Sequence, residues 1–163
     1  MPALLRCQRA FALTAAALMA ATLFLVSTGA APAEARMNRH HRILHAVRTV
    51  NHQIGDSYQW GATGPNRFDC SGLMKFALSR NNVYVPRTSG AQADFGRRVK
   101  RRNMLRGDFM VFHNRGDVYH IGMFVGRRRN GTPVMVHASR PGVPVRRAVP
   151  WTNSWYPVTL RRR

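Results

Sequence analysis

The hydrophobic period changes once along this chain, near residue 105, and that change limits what the chain can fold into. Upstream, apolar residues recur at helical spacing. Ile43, Val47, Val50 and Ile54 form one stripe over 38–54. Asp69 is a good N-cap, and Leu73, Phe76 and Ala77 follow at helical spacing, which predicts a helix over 70–80. Thr88 or Ser89 opens a short third helix that ends near Phe95. Downstream, the pattern alternates. Segments 108–113, 119–125, 134–139, 145–149 and 156–160 read as strands with Pro and Gly between them. Helices first and strands second predict an α+β fold, with N-terminal helices packed on an antiparallel sheet. A chain of 163 residues has room for one such domain and a targeting segment.

Residues 1–35 stand outside that pattern. Arg6 and Arg9 precede an uncharged apolar run from Ala10 to Val26. Small-residue cleavage patterns follow at Ala31-Pro-Ala33 and Ala33-Glu-Ala35. These three parts make a secretory signal peptide, which leaves residues 36–163 as the working domain. The apolar run is also long enough for an uncleaved anchor. Cys7 lies before that run, so it is badly placed as a lipid attachment site. Cleavage would leave Cys70 as the one cysteine, which excludes a disulfide framework within the chain.

The charge is far from balanced. Lys and Arg number 26 against six Asp and Glu, for a net +20, and all but Lys75 and Lys100 of the cations are arginine. Such a field favours polyanionic partners. Six carboxylates speak against a carboxylate-dyad hydrolase or a carboxylate-rich metal cage. His41, His45 and His52 share one face of the first helix, with no Asp, Glu or Cys beside them. They read as a solvated basic face and not as a metal site.

Cys70 is the residue with a chemical reason to be where it is. At the first position of its helix it meets a partial positive charge that favours thiolate. The unpaired N–H groups of the first turn offer an oxyanion site beside the sulfur. A cysteine nucleophile needs a base. His120 and His137 lie in neighbouring strands and on the same face. With 126–131 as the connecting loop, Val125 pairs with Thr132 and His120 stands opposite His137. A tight Asn130-Gly131 turn would instead set His137 opposite Phe124. One histidine would serve as general base and the other would orient it. His113, at a strand end, reads as a loop residue.

The stretch Tyr58-Gln-Trp-Gly-Ala-Thr-Gly-Pro-Asn-Arg-Phe-Asp-Cys-Ser-Gly-Leu73 strongly resembles the nucleophile motif of the NlpC-type cell-wall cysteine peptidases. Four more blocks resemble that family in the same order: Pro86-Arg87-Thr88-Ser89 with Gln92, Leu105-Arg106-Gly107-Asp108, His120 through Gly126, and Val136-His137-Ala138. Together they span about residues 40–160. Two departures stand out. Ala62 replaces a usual glycine, and Arg127-Arg128-Arg129-Asn130 lengthens the stretch between the histidines.

The resemblance implies a papain-like domain in which Cys70 is the nucleophile, His120 the base and His137 its orienting partner. Tyr58 would help line the oxyanion site. Trp60, Asp69, Ser71, Arg87 and Ser89 would touch substrate. The implied reaction is hydrolysis of peptidoglycan stem peptides at the D-γ-glutamyl-diamino acid bond, with no metal or organic cofactor. The expected protein is exported, cell-wall associated and monomeric. Its arginines would bind anionic wall polymers, and no nucleic-acid motif accompanies them. Two other readings stay open: an amidase or acyltransferase of the same fold, and a non-catalytic cationic binder.

Overall fold

The computed structural model describes residues 31–161. The chain falls into two units, Met1–Arg36 and Met37–Arg163, and the fold is that of the second. The expected signal segment, with Cys7, Arg6 and Arg9, lies almost wholly outside the described residues. Helix α1 covers Ala31–His52. It begins seven residues before the apolar stripe predicts, so cleavage after Ala35 would remove its first turn. Among the described residues, no helix is long and apolar enough to cross a membrane.

The stripe of α1 goes where the pattern predicts. Ile43, Val47 and Val50 are buried with Ala46, while His41, His45 and His52 stay exposed. Ile54 falls beyond the helix end and is largely exposed. Helix α2 covers Cys70–Ser79 and α3 covers Ser89–Phe95. The cap of α3 is Thr88, whose hydroxyl accepts from the Ala91 N–H at 3.3 Å. The inner face of α2 carries Leu73, Met74, Ala77 and Leu78, all fully buried. Truncating Leu73 to Ala would cost about 2–5 kcal/mol, because the space it leaves cannot close fully.

Eight strands complete the domain. β1 (Ser57–Tyr58) and β2 (Arg67–Phe68) form a short parallel pair ahead of α2. β3 (Arg97–Arg98) follows α3, and a 3-10 turn covers Arg101–Asn103. Then come β4 (Phe109–Asn114), β5 (Asp117–Arg127), β6 (Pro133–His137), β7 (Arg146–Ala148) and β8 (Trp155–Thr159). The last six strands form one antiparallel sheet in the order β3-β8-β4-β5-β6-β7. This is the predicted α+β class.

Alternation along β5 divides the core in two. Ile121 and Met123 pack with Val111, Val136 and the buried faces of α1 and α2. Phe124 packs with Met110, Phe112, Met135 and Trp155 on the other face. His120 belongs to that second face, where its ring lies 5.7 Å from that of Phe112. His113 is part of β4 and not of a loop, with its ring 5.5 Å from that of Tyr156.

The β5–β6 hairpin adopts neither expected register. Met123 pairs with Val136 and Phe124 with Met135, but Gly126 pairs with Val134, so the ladder slips by one residue at Val125. Continued past Met123, the register sets His137 beside Gly122, with His120 on the diagonal. That register lies midway between the two expected ones, and the bulge shifts it by one residue toward the loop.

Candidate active site

Cys70 is the first residue of α2 and is partly accessible. Its position is set by the residue before it. Asp69 Oδ1 accepts the Gly72 N–H at 2.7 Å, and Asp69 Oδ2 accepts the Gly61 N–H at 2.9 Å. One carboxylate therefore caps the helix and ties the preceding loop to it. Gly72 lets the two meet: a Cβ there would lie 2.0 Å from the Ala62 carbonyl oxygen.

A second tier holds the cap. Arg87 donates to both carboxylate oxygens of Asp69, at 2.5 and 3.1 Å, and to Ser71 Oγ at 2.9 Å. Gln92 Nε2 donates to the Ser71 and Pro86 carbonyls, each at 2.9 Å. Asp69, Ser71 and Arg87 thus bond one another in a brace behind the nucleophile. Burial alone would raise the Asp69 carboxyl. The bonds from Arg87, Gly72 and Gly61 and the Arg87 charge outweigh it and hold the carboxyl below the usual carboxylate range.

The sulfur meets the sheet at β5. The Phe124 N–H donates toward β4, to the Asp108 carbonyl at 2.8 Å. By alternation the Ile121 N–H points the other way, where β6 has ended, and it lies close enough to Cys70 to favour the thiolate. His120 is the residue immediately before that contact. Its Nε2 lies 2.9 Å from His137 Nδ1, with the ring planes at 82°. The diagonal contact depends on Gly122, where a Cβ would come within 3.3 Å of the His137 Cβ and closer still to Met135.

Trp151 roofs the pair. Its ring stacks on Phe112 at 4.3 Å and 5°, and lies 5.3 Å from His120 and 5.7 Å from His137. The outer side remains open, leaving Trp151 53% exposed, while His120 and His137 are only 6% and 2% exposed. Nothing in the sequence pattern marks Trp151, because it sits in an aperiodic loop beside Pro150.

The electrostatics differ from the local expectation for a helix-start cysteine. Burial pushes the Cys70 thiol up and the Asp69 carboxylate adds to that. The N–H groups of Ile121, Ser71 and Cys70 pull the other way without prevailing. Burial lowers His120 to about 3, with the His137 charge adding to it. Burial lowers His137 to about 4, with Arg146 adding to it. At neutral pH the resting site therefore holds a thiol and two neutral imidazoles. The helix-terminus effect is present, but the loss of water around the sulfur is larger.

The remaining expected residues occupy varied positions. Tyr58 is half-buried against the core and close enough to Cys70 and Asp69 that, after burial, their charges raise its phenol. Trp60 is 83% exposed, and Ser89 is half-buried at the start of α3. Among the described residues, no three His, Cys, Asp or Glu side chains gather in a way that could hold a metal ion.

The chain is similar to several known proteins. The profile of the NlpC/P60 family matches residues 55–163. A probable endopeptidase of Corynebacterium glutamicum is 37% identical over 121 residues, which are 74% of this chain and 53% of that protein. The probable endopeptidase p60 of Listeria innocua is 37% identical over 97 residues, 60% of this chain and 20% of that protein. The chain thus spans about half or less of the length of these curated relatives. The solved P60 domain of an antigen from M. avium subspecies paratuberculosis matches with a TM-score of 0.64 at 26% identity, covering 77% of this chain and 98% of that one.

Proposed function

Because the chain belongs to the NlpC/P60 family, we propose that it is a cysteine endopeptidase that hydrolyses the stem peptides of peptidoglycan. The observation that carries this reading is the chain of contacts from helix to sheet. The Cys70 thiol lies within the influence of the Ile121 N–H, and the neighbouring His120 is bonded through Nε2 to His137 at 2.9 Å.

That bond supports a division of roles. With Nε2–H of His120 donated to His137 Nδ1, the other His120 nitrogen carries a lone pair. It takes the thiol proton as sulfur attacks the peptide carbonyl, and the His137 bond then stabilises the imidazolium. The tetrahedral oxyanion lies at the start of α2, beside first-turn N–H groups and the Tyr58 hydroxyl. Collapse breaks the C–N bond, and His120 returns the proton to the leaving amine. Water, deprotonated by the same imidazole, then releases the thioester-bound acyl half. The favoured bond is the D-γ-glutamyl-diamino acid bond. Residues 1–35 export the domain, and its arginines hold it near anionic wall polymers.

The test is a digest of purified peptidoglycan by the protein and by its Cys70→Ala variant, read by mass spectrometry. Stem fragments with a new N-terminus at the diamino acid, absent with the variant, are the expected result. New ends elsewhere in the wall would point to an amidase of the same fold. Salt-sensitive binding with no fragments would point to a cationic binder.

A further inference from the structure

The basic insert Arg127-Arg128-Arg129-Asn130, which lengthens the stretch between the histidines, has no part in the reaction above. It starts at the last residue of β5 and is closed into a turn by its backbone. The Gly131 N–H donates to the Arg128 carbonyl and the Arg128 N–H to the Thr132 carbonyl, each at 2.9 Å. Beside it lies an open cavity of about 450 Å³, with Arg101, Arg127, Pro133, Trp151 and Asn153 among its walls and no carboxylate. Main-chain carbonyls hold both arginines in place. Arg101 Nη2 donates to the Asn153 and Trp155 carbonyls at 2.7 and 2.6 Å, with its guanidinium 4.1 Å from the Trp155 ring centre. Arg127 donates to the Gly131 carbonyl at 3.0 Å and to the Arg101 carbonyl at 2.7 Å. Two N–H donors of each guanidinium are used in this way, and the others remain for a ligand. The ion pairs found among the described residues are Arg87–Asp69 and Arg161–Asp108, so neither of these cations has a counter-ion. Like charges gathered without an anion repel one another, and a bound anion relieves that repulsion.

We infer that this cavity and the basic turn beside it form a docking surface for a phosphodiester-linked glycopolymer of the wall. This rests on the reading above, in which arginines hold the domain near anionic wall polymers, and it gives that binding a place and a chemistry. Two guanidinium forks fixed by carbonyls suit the unesterified oxygens of one phosphodiester, one fork to each. Next to them in the chain, Arg102, Arg128 and Arg129 are exposed and extend the positive surface to the phosphates that follow. Trp151 lines the cavity and is 53% exposed, so its ring offers an apolar surface to a sugar. A single polymer chain can enter a concave site, whereas a bilayer lies flat across it. Trp151 also roofs the histidine pair, so a polymer held here keeps the catalytic residues beside the wall.

The experiment measures cosedimentation of the full-length protein with bacterial sacculi that retain a phosphodiester-linked glycopolymer. The same sacculi are also used after hydrofluoric acid has hydrolysed the phosphodiesters. The untreated walls should bind more tightly by roughly tenfold or more, with an affinity that falls steeply as salt rises. Arg101→Gln/Arg127→Gln should lower that affinity by roughly tenfold and flatten its salt dependence. Its cleavage of a soluble stem peptide should change little, because neither arginine lines the cavity at the histidines. Arg128→Gln/Arg129→Gln should weaken binding by about three- to fivefold. No side-chain bond of Arg128 or Arg129 is found among the described residues, so this variant decides the matter if the first disturbs the 151–155 loop. Arg48→Gln/Arg147→Gln is the control. It removes the same charge from exposed positions on α1 and β7, where Arg147 bonds Asn51 Oδ1 at 2.7 and 3.2 Å. Its affinity should be nearly unchanged. An equal loss in all three variants, or full affinity in Arg128→Gln/Arg129→Gln, overturns this surface and leaves the wall-polymer reading standing. Equal binding to treated and untreated walls overturns the phosphodiester polymer as its occupant. Tighter binding to phosphatidylglycerol vesicles than to untreated walls assigns the surface to a membrane and overturns the inference. Binding to neither wall overturns the surface and the wall-polymer reading together.

Discussion

Around Cys70 the supporting side chains are polar and bond one another: Asp69 caps the helix, Arg87 grips Asp69, and Arg87 also reaches Ser71. Around His120 and His137 the supports are aromatic rings: Phe112 and Trp151. One half of the site is held by directed bonds and fixed charges, the other by packing and exclusion of water. The difference follows from the elements that carry them. A helix start exposes N–H groups that must be satisfied, so it recruits a carboxylate and then a cation. A sheet face offers no free backbone groups, so a polar ring there is bonded to its neighbour and covered by apolar ones.

The largest effect should come from the packed half. His120→Gln removes the base and should lower kcat/KM by about 10²–10⁴, the range for general acid–base catalysis. A steady-state assay on a stem peptide reads this. A loss below about tenfold would mean that another group takes the thiol proton. Next, Trp151→Ala opens the roof and lets water reach both rings. Their proton affinities should then climb from about 3 and 4 toward the ordinary histidine value of 6.5. The acid limb of the pH–rate profile should move upward and kcat should fall by roughly tenfold, with Trp151→Phe restoring most of both. An unshifted limb would show that Phe112 and the sheet alone keep the pair dry.

The same pair sets a stability window. The unfolded chain takes up protons below about pH 6.5, which the folded histidines refuse until pH falls to about 3–4. Their contribution to stability is complete above the unfolded value and is lost as pH falls through this window. Thermal melts at pH 7 and pH 5 should therefore show a drop in Tm, and His120→Gln/His137→Gln should shrink it. An equal drop in both proteins would assign acid sensitivity elsewhere, for instance to His40, whose proton affinity is also lowered by burial.

Much of this could be read from the chain, for reasons particular to each element. The span 70–80 is legible because Asp69 marks its start and Leu73, Phe76 and Ala77 mark its face, and α2 covers Cys70–Ser79. The strands carrying the histidines are legible because alternation survives any even shift of register. The shift itself is not legible, since the slip at Val125 depends on how the hairpin meets the rest of the sheet. The two-residue strands β1, β2 and β3 are too short to carry a period. Trp151 reaches the histidines from a distant loop, a purely tertiary contact. The protonation of Cys70 is hidden too, because burial decides it and no local residue reports burial.

The smallest effect tests the bonded half by its charge alone. Asparagine caps helices about as well as aspartate, so Asp69→Asn keeps the bond to the Gly72 N–H. It removes the negative charge that, after burial, raises the Cys70 thiol, and it leaves the Arg87 cation nearby without its counter-ion. Both changes favour thiolate, so alkylation by iodoacetamide at pH 7 should quicken by about two- to fivefold. Tm should fall as well, because the amide NH2 cannot accept the Gly61 and Arg87 N–H groups that the buried Oδ2 accepts. Trp151→Ala should leave the alkylation rate nearly unchanged, since Trp151 packs on the histidines and not on the sulfur. If Asp69→Asn left alkylation unchanged, burial alone would set the thiol. Both halves of the site would then be governed by exclusion of water, and the brace behind Cys70 would serve only to hold the helix start in place.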